Sequence, residues 1–469
     1  MLSAASTLAP YPNWLNPGDN AWQLISATLV GLMSLPALAV LYGGLVQKKW
    51  IVNTMFMCFA GFSLTLVVWM CWGYSFAFGS PQYQWGSPGS FWSGLLGKWF
   101  TLFSAQHEQN QAVSGANTLI PFHFPTATFA YFQFVFAAIT PLLFLGGIVG
   151  RLKFKAWLLI VPLWITFVYC VNAALLWGGG FFAQKGAVDY SGGYVIHLSA
   201  GVAAFTAAAI VGPRLRRDRT TVPSNLMMVA VGAGLLWLGW NGFNGGDPFY
   251  AGVDAASAVL NTNVATAVGV LTWVVFDMLF SKQKKPTFLG AINGMLCGLV
   301  AITPSAGWVN GLGAIIVGFT ASSLVWVAWN YLSKIRPFSK VDDALGVVYT
   351  HGCAGLIGGL LVGILADPAM IQYGSSTGNY RTGSGGSFAI QGVLYGNHSW
   401  HQFWEQFLAA CWIIGFTATM TAIIFFLVKF VLRGIREPDA VLEIGDLAIH
   451  DEEAYPTETF AERVNSLSR

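Results

Sequence analysis

Two stretches decide how this chain folds: Val195-Ile196-His197-Leu198-Ser199-Ala200-Gly201 and Tyr349-Thr350-His351-Gly352-Cys353-Ala354-Gly355. Both read His-x-x-Ala-Gly within apolar surroundings. Of the seven histidines, only these two lie inside long apolar runs. Such runs recur from Trp22 to Val431, and most reach the roughly 20 residues that cross a bilayer. They divide into eleven spans, near 22–45, 51–78, 126–149, 156–177, 194–211, 225–244, 256–280, 288–303, 311–332, 347–366 and 403–431. The histidines fall in the fifth and the tenth. Five is an odd number, so two five-span halves sit in opposite orientations, an arrangement that puts a site between the halves near the midplane. The expected fold is an all-α polytopic membrane protein, an inverted five-helix repeat plus one extra helix.

Composition and charge agree with this reading. The 469 residues are 55% hydrophobic and 9% charged, against about 25% charged for a soluble domain. A soluble enzyme, a disordered chain and a coiled coil are thereby excluded. The net charge of +3 comes from dispersed Lys and Arg and leaves no nucleic-acid footprint. Basic residues cluster after the odd-numbered spans: Lys48 and Lys49; Arg151, Lys153 and Lys155; Arg214 to Arg219; Lys282 to Lys285; Lys334 to Lys340; Lys429 to Arg436. The opposite loops hold only Lys98, Lys185 and Arg381. The positive-inside rule then places the N-terminus outside and the C-terminus inside.

The organisation along the chain is an outer segment 1–21, a first half 22–211, a second half 212–366, an outer Gly- and Ser-rich loop 367–402, the eleventh helix 403–432 and a cytosolic tail 433–469. The start, with no basic residue before Lys48, does not read as a secretory signal. The loop carries Asn397-His398-Ser399, a glycosylation pattern that chance also produces. The six cysteines all lie in apolar runs and read as small core residues.

A buried histidine can simply bond a backbone carbonyl. Two ionisable residues in matched intramembrane contexts point instead to function, because burying each is costly. The small residues Ala200, Gly201, Ala354 and Gly355 suit close helix approach and would let the rings meet. Three aromatic patches, Phe132 to Phe136, Trp177-Gly178-Gly179-Gly180 and Trp240 to Asp247, fall on the outer side. Lipid-facing packing is the plain reading of any one of them. Their glycine-rich flanks favour rings gathered at a mouth, where π faces can hold a small cation. Asp189 precedes a helix start and suits a cap. Asp277 stands close to the run beginning at Lys282 and suits pairing with it. No nucleophile, phosphate-loop or metal-ligand motif is present, so no cofactor and no metal are expected.

On these residues the chain resembles the ammonium transporter family, whose relatives include methylammonium permeases and Rh proteins. The resemblance runs through Leu35-Pro36-Ala37-Leu38, Tyr42-Gly43-Gly44, Trp177 to Gly180, Asp189 to Gly193, Gly239 to Gly246, Ile302-Thr303-Pro304 and Asp342-Asp343 leading to His351. It implies a homotrimer in the cell membrane, each protomer with its own pore. It implies a recruiting cup at Phe136 and Trp177, with Asp247 where the family commonly has Ser, and a stacked pair Phe136 and Phe243 below. The pore histidines would be His197 and His351, Asp189 would support the cup, and Trp240 and Gln133 would lie around cup and gate. Departures occur at Gly150, Gly346, Val348, Tyr349 and Asp247.

The expected function is ammonium transport: recruitment at the cup, loss of a proton, and passage of ammonia along a hydrophobic pore, with net charge movement left open. A sensor, a channel for another neutral gas and a membrane enzyme are the competing classes. The short tail disfavours the sensor, the complete cup disfavours the other gas, and the missing catalytic motifs disfavour the enzyme. The tail segment Glu443 to Tyr455 resembles the family's C-terminal segment, which implies subunit contact or a PII-type regulator; a solvated acidic tail is the plain alternative.

Overall fold

The computed structural model describes residues 11–79, 95–113, 121–220, 222–370, 380–381, 387–388, 390–395 and 398–456. Most of the Gly- and Ser-rich stretch from Gly374 and Asn397 of the glycosylation pattern lie outside the described residues, as does the tail beyond residue 456.

Among the described residues the fold is all helical apart from two short strand pairs in the long loops, Gln111–Val113 with Pro121–Pro125 and Tyr380–Arg381 with Ser387–Phe388. Ten helices among the described residues are long and apolar enough to cross a membrane. They are α1 (Pro17–Leu45), α2 (Lys48–Phe78), α3 (Thr126–Ile148), α4 (Phe154–Lys185), α5 (Gly193–Val211), α6 (Leu226–Gly245), α7 (Val253–Phe280), α9 (Gly311–Lys334), α10 (Val348–Leu365) and α11 (His401–Val431). The predicted eighth span is a shorter apolar helix, α8 (Phe288–Ile302). Short helices α12 (Asp439–Ile444) and α13 (Asp446–His450) follow.

The helix starts are chemically marked. Asn16, Asn225, Thr287 and Asn310 each accept backbone N–H groups from the first turn of the helix they precede, which satisfies donors that a helix cannot pair itself. Helix α3 is the hub: every residue from Thr128 to Ile148 except Tyr131 is buried. On α6, α7, α9 and α11 the apolar side chains point outward instead, with Leu271, Leu312 and Phe430 among the most exposed. A helix that is apolar all round and open on one side has lipid as its natural solvent.

At the end of α3, Arg151 is fully buried rather than part of a solvated basic cluster. Its guanidinium donates to the carbonyls of Gly147, Val149, Gly212 and Asp342 and so ties three chain segments together. Burial pulls its pKa down to about 10. Asp342 is held at about 2: burial pushes it up, but the hydrogen bonds and charge of Arg214, with Arg151 behind, outweigh that. Asp277 corrects the expectation of lysine pairing. It is buried and accepts from Trp326 Nε1 (2.8 Å) and from the Thr287 hydroxyl, because α7 turns its carboxylate inward toward α8 and α9.

Candidate functional site

One end of the site is aromatic. Trp177 closes the last long turn of α4 and donates its indole N–H to the Asp189 carbonyl at 2.6 Å. Its ring stands edge-on to Phe136 of α3, with centroids 6.3 Å apart at 86°. Phe136 in turn stacks on Phe243 of α6 at 4.3 Å and 29°. Both phenyl rings are essentially unexposed.

The histidines lie directly behind. Each sits in a wide turn that carries one extra residue in the helix: Gly193–Leu198 at the start of α5 and Val348–Cys353 at the start of α10. Such π turns occur at functional sites because they re-aim one side chain. His197 Nδ1 lies 3.1 Å from His351 Nδ1, and the rings are 5.3 Å apart at 22°. Two N–H groups cannot point at each other, so one ring donates and the other accepts. The backbones meet on glycine: a Cβ on Gly201 would strike the Cα of Gly352, and one on Gly355 would lie 3.2 Å from the Cβ of His197. Trp240 stacks on His197 at 5.2 Å and 18°, anchored by its N–H to the Thr303 hydroxyl at 2.8 Å. His197 Nε2 is buried without a partner. Beyond His351 runs a cavity of about 240 Å³, walled mainly by Leu38, Leu41, Ile139, Leu236, Ile292 and Leu296.

Two carboxylates brace the two histidine turns. Asp189 accepts the N–H groups of Gly192, Tyr194 and Val195 at 2.9–3.1 Å. Asp343 accepts that of Val348 at 2.8 Å. Each stands eight residues before its histidine (197 − 189 and 351 − 343), and each is followed three residues on by a glycine with positive φ: Gly192 at 113° and Gly346 at 76°. Burial pushes both carboxyls up to about 6, against the pull of the backbone N–H groups. Asp247, partly exposed, contacts the Ser191 hydroxyl, which also lies 3.0 Å from the Phe243 carbonyl. Burial, and then the charge of Asp189, push Asp247 well above the usual carboxylate range.

Phe136, Trp177, Phe243, Trp240, His197 and His351 therefore form one continuous line. Trp240 lies a layer deeper than the cup, against the histidine. Gln133 is buried on α3 with its Oε1 unpartnered. Three contributors stood in the quoted motifs without an assigned role: Asp343, Ser191 and Thr303. The shared Asp-x-x-Gly-x-x-x-x-His spacing was the available signal for Asp343. Among the described residues, no group of three His, Cys, Asp or Glu side chains could hold a metal ion.

Comparison with known proteins agrees along the whole length. The profile of the Ammonium Transporter Family matches residues 21–455. Ammonium transporter 3 member 2 of Oryza sativa subsp. japonica is 44% identical, over 96% of this chain and 92% of that protein. Ammonium transporter 2 of Arabidopsis thaliana is 42% identical, over 96% and 90%. Among solved structures, Saccharomyces cerevisiae Mep2 superimposes with a TM-score of 0.77 at 28% identity, covering 95% of this chain and 94% of that one. A Sensor Amt Protein superimposes with 0.74 at 25% identity, covering 91% and 96%.

Proposed function

The chain belongs to the ammonium transporter family, and on that premise we propose that it carries ammonium across the cell membrane by stripping a proton at its mouth and passing neutral ammonia through its core. An apolar passage rejects any unpaired ion, because desolvating a charge costs many kcal/mol. Potassium has no way round that barrier. Ammonium has one, since it can leave its proton behind. In this reading the Trp177 and Phe136 rings hold the cation by π contact, the Phe136–Phe243 pair is the gate, and His197 and His351 guide ammonia with one donor and one acceptor each. The cavity past His351 is the exit. Asp189 positions the His197 turn and supports the cup from behind.

The observation that carries this reading is the unbroken succession of aromatic cup, stacked phenyl gate and facing histidines. The matched turns on α5 and α10 support two five-helix halves, 22–211 and 212–366, in opposite orientations, with α11 outside the repeat. The basic loops support eleven crossings, with the N-terminus outside and the C-terminus inside. The family relation supports a homotrimer with a pore in each subunit and leaves a PII-type contact at the tail as a further element of the proposal. Uptake should be measured in cells lacking their own ammonium transporters. The chain should restore growth on low ammonium, and His197→Ala should abolish or strongly reduce uptake. Unchanged uptake in the His197 variant would remove the pore from this place.

A further inference from the structure

The Ser191 hydroxyl has one hydrogen and two acceptors within reach. Its oxygen lies 3.0 Å from the Phe243 carbonyl and also contacts Asp247 Oδ2. With Asp247 ionised, one hydrogen must serve both. With Asp247 protonated, its O–H donates to Ser191, whose own hydrogen goes to the Phe243 carbonyl, and every atom is satisfied. The geometry thus accommodates the carboxyl once it has taken up a proton. That carboxyl is joined through Ser191 to the residue whose ring closes the gate. Close by, the fully buried Tyr169 hydroxyl has no partner, and it lies within electrostatic reach of both Asp247 and Asp189. Asp189, Tyr169 and Tyr190 are the titratable groups that feel Asp247.

We propose that Asp247 is the group that takes the proton from ammonium at the mouth of the pore. One N–H bond of ammonium breaks, one O–H bond forms on the carboxylate, and neutral ammonia passes to the Phe136–Phe243 gate. The negative charge of the carboxylate and the positive charge of ammonium disappear together, so no ion has to enter the apolar passage. The partly exposed carboxyl returns the proton to the outer water, and no other reactant is required. The assignment rests on the transport reading above and adds the identity of the acceptor, which differs from an electrostatic lure: a lure sets affinity, whereas an acceptor sets rate.

The test uses the full chain in proteoliposomes, with two measurements on the wild type, Asp247→Asn and Asp247→Glu. One is ammonium uptake against concentration between mildly acidic and neutral pH. The other is permeability to ammonia at alkaline pH, where the substrate is already largely neutral. Asp247→Asn should lower the maximal rate of uptake by about a hundred-fold, the usual worth of a positioned acid or base, with half-saturation nearly unchanged and ammonia permeability retained. Asp247→Glu should restore uptake with a shifted acid limb of the pH profile. A raised half-saturation at full maximal rate in Asp247→Asn, or no effect, overturns the assignment. Should Asp247→Asn lose both activities, Asp247→Glu decides, and its failure to recover uptake also overturns it. A wild type that conducts neither species sinks the transport reading itself.

Discussion

Phe243 and Trp177 are separated by one ring, yet their contacts differ in kind. The Phe243 ring is buried between Phe136 and the histidine layer, 4.3 Å and 5.9 Å from its neighbours. Trp177 is only partly buried, fixed at its nitrogen and touching Phe136 by an edge. Phe243→Ala therefore opens the barrier and should let ions follow ammonia, seen as a potassium- or ammonium-driven current absent from the wild type. Trp177→Leu keeps the barrier and removes one π face worth about 0.5–2 kcal/mol. Its half-saturation for ammonium should rise by about two- to thirty-fold with the maximal rate kept. A current in the Trp177 variant, or none in the Phe243 variant, would exchange their roles.

At the scale of elements, the proposed pore requires that α5 and α10 cross closely. Gly201 leaves no room for a methyl group against Gly352, and the crossing is what brings two rings from distant helices to 3.1 Å. Gly201→Val should destabilise the detergent-solubilised protein by about 1–3 kcal/mol through overpacking and should abolish uptake, because the histidines separate. Gly415→Ala on α11 meets nothing within 4 Å and should leave both the unfolding midpoint and uptake unchanged. Equal behaviour of the two variants would deny the crossing its role. This crossing was half legible from the sequence. The His-x-x-Ala-Gly echo marked both helices, because close packing restricts those positions to small residues. The bracing role of Asp343 showed only in the shared Asp-x-x-Gly spacing, because the residues between Asp343 and His351 need only supply backbone N–H groups and a positive-φ glycine, so their side chains diverge from those after Asp189. The π turns left no sequence mark, since an extra residue in a helix is set by packing and not by local propensity. Asp277 was misread for a related reason: its nearest charges in sequence lie on a loop, while its partner Trp326 lies 49 residues away.

At the scale of the whole molecule, the tail closes the chain on itself. Asp446 accepts the N–H groups of Val52 and Asn53 at 2.8 and 2.9 Å, capping α2 from almost 400 residues away. Lys49 bonds the Leu442 carbonyl, and His450 lies against the rings of Phe56 and Phe154. Asp446→Ala removes the cap, worth about 0.5–2 kcal/mol. Hydrogen exchange should accelerate across 439–456 and the first turn of α2 while α3 and α5 stay protected. Acceleration everywhere, or nowhere, would deny that the tail is a separable clasp.

The clasp and the two histidine braces share one titration. Asp189, Asp343 and Asp446 are each pushed by burial up to about 6, against about 3.9 in an unfolded chain. Between these values the folded state binds more protons than the unfolded state, so stability falls as pH rises through the window. Asp342, held at about 2, is ionised in the folded state throughout the window and adds an opposing slope only at its acid edge, near the unfolded value. His450, held below its ordinary value by burial, acts in the opposite direction, and Asp247, pushed up by burial, adds to the carboxyl side. The contribution of these carboxyls to the unfolding midpoint in detergent should therefore decline from near pH 4 toward about pH 6. Combining Asp343→Asn with Asp446→Asn should flatten most of that decline while keeping side-chain acceptors for the same N–H groups. A midpoint that climbs with pH across the window in the wild type would show that these carboxyls fold in ionised form, and that the braces act as charges rather than as proton-holding caps.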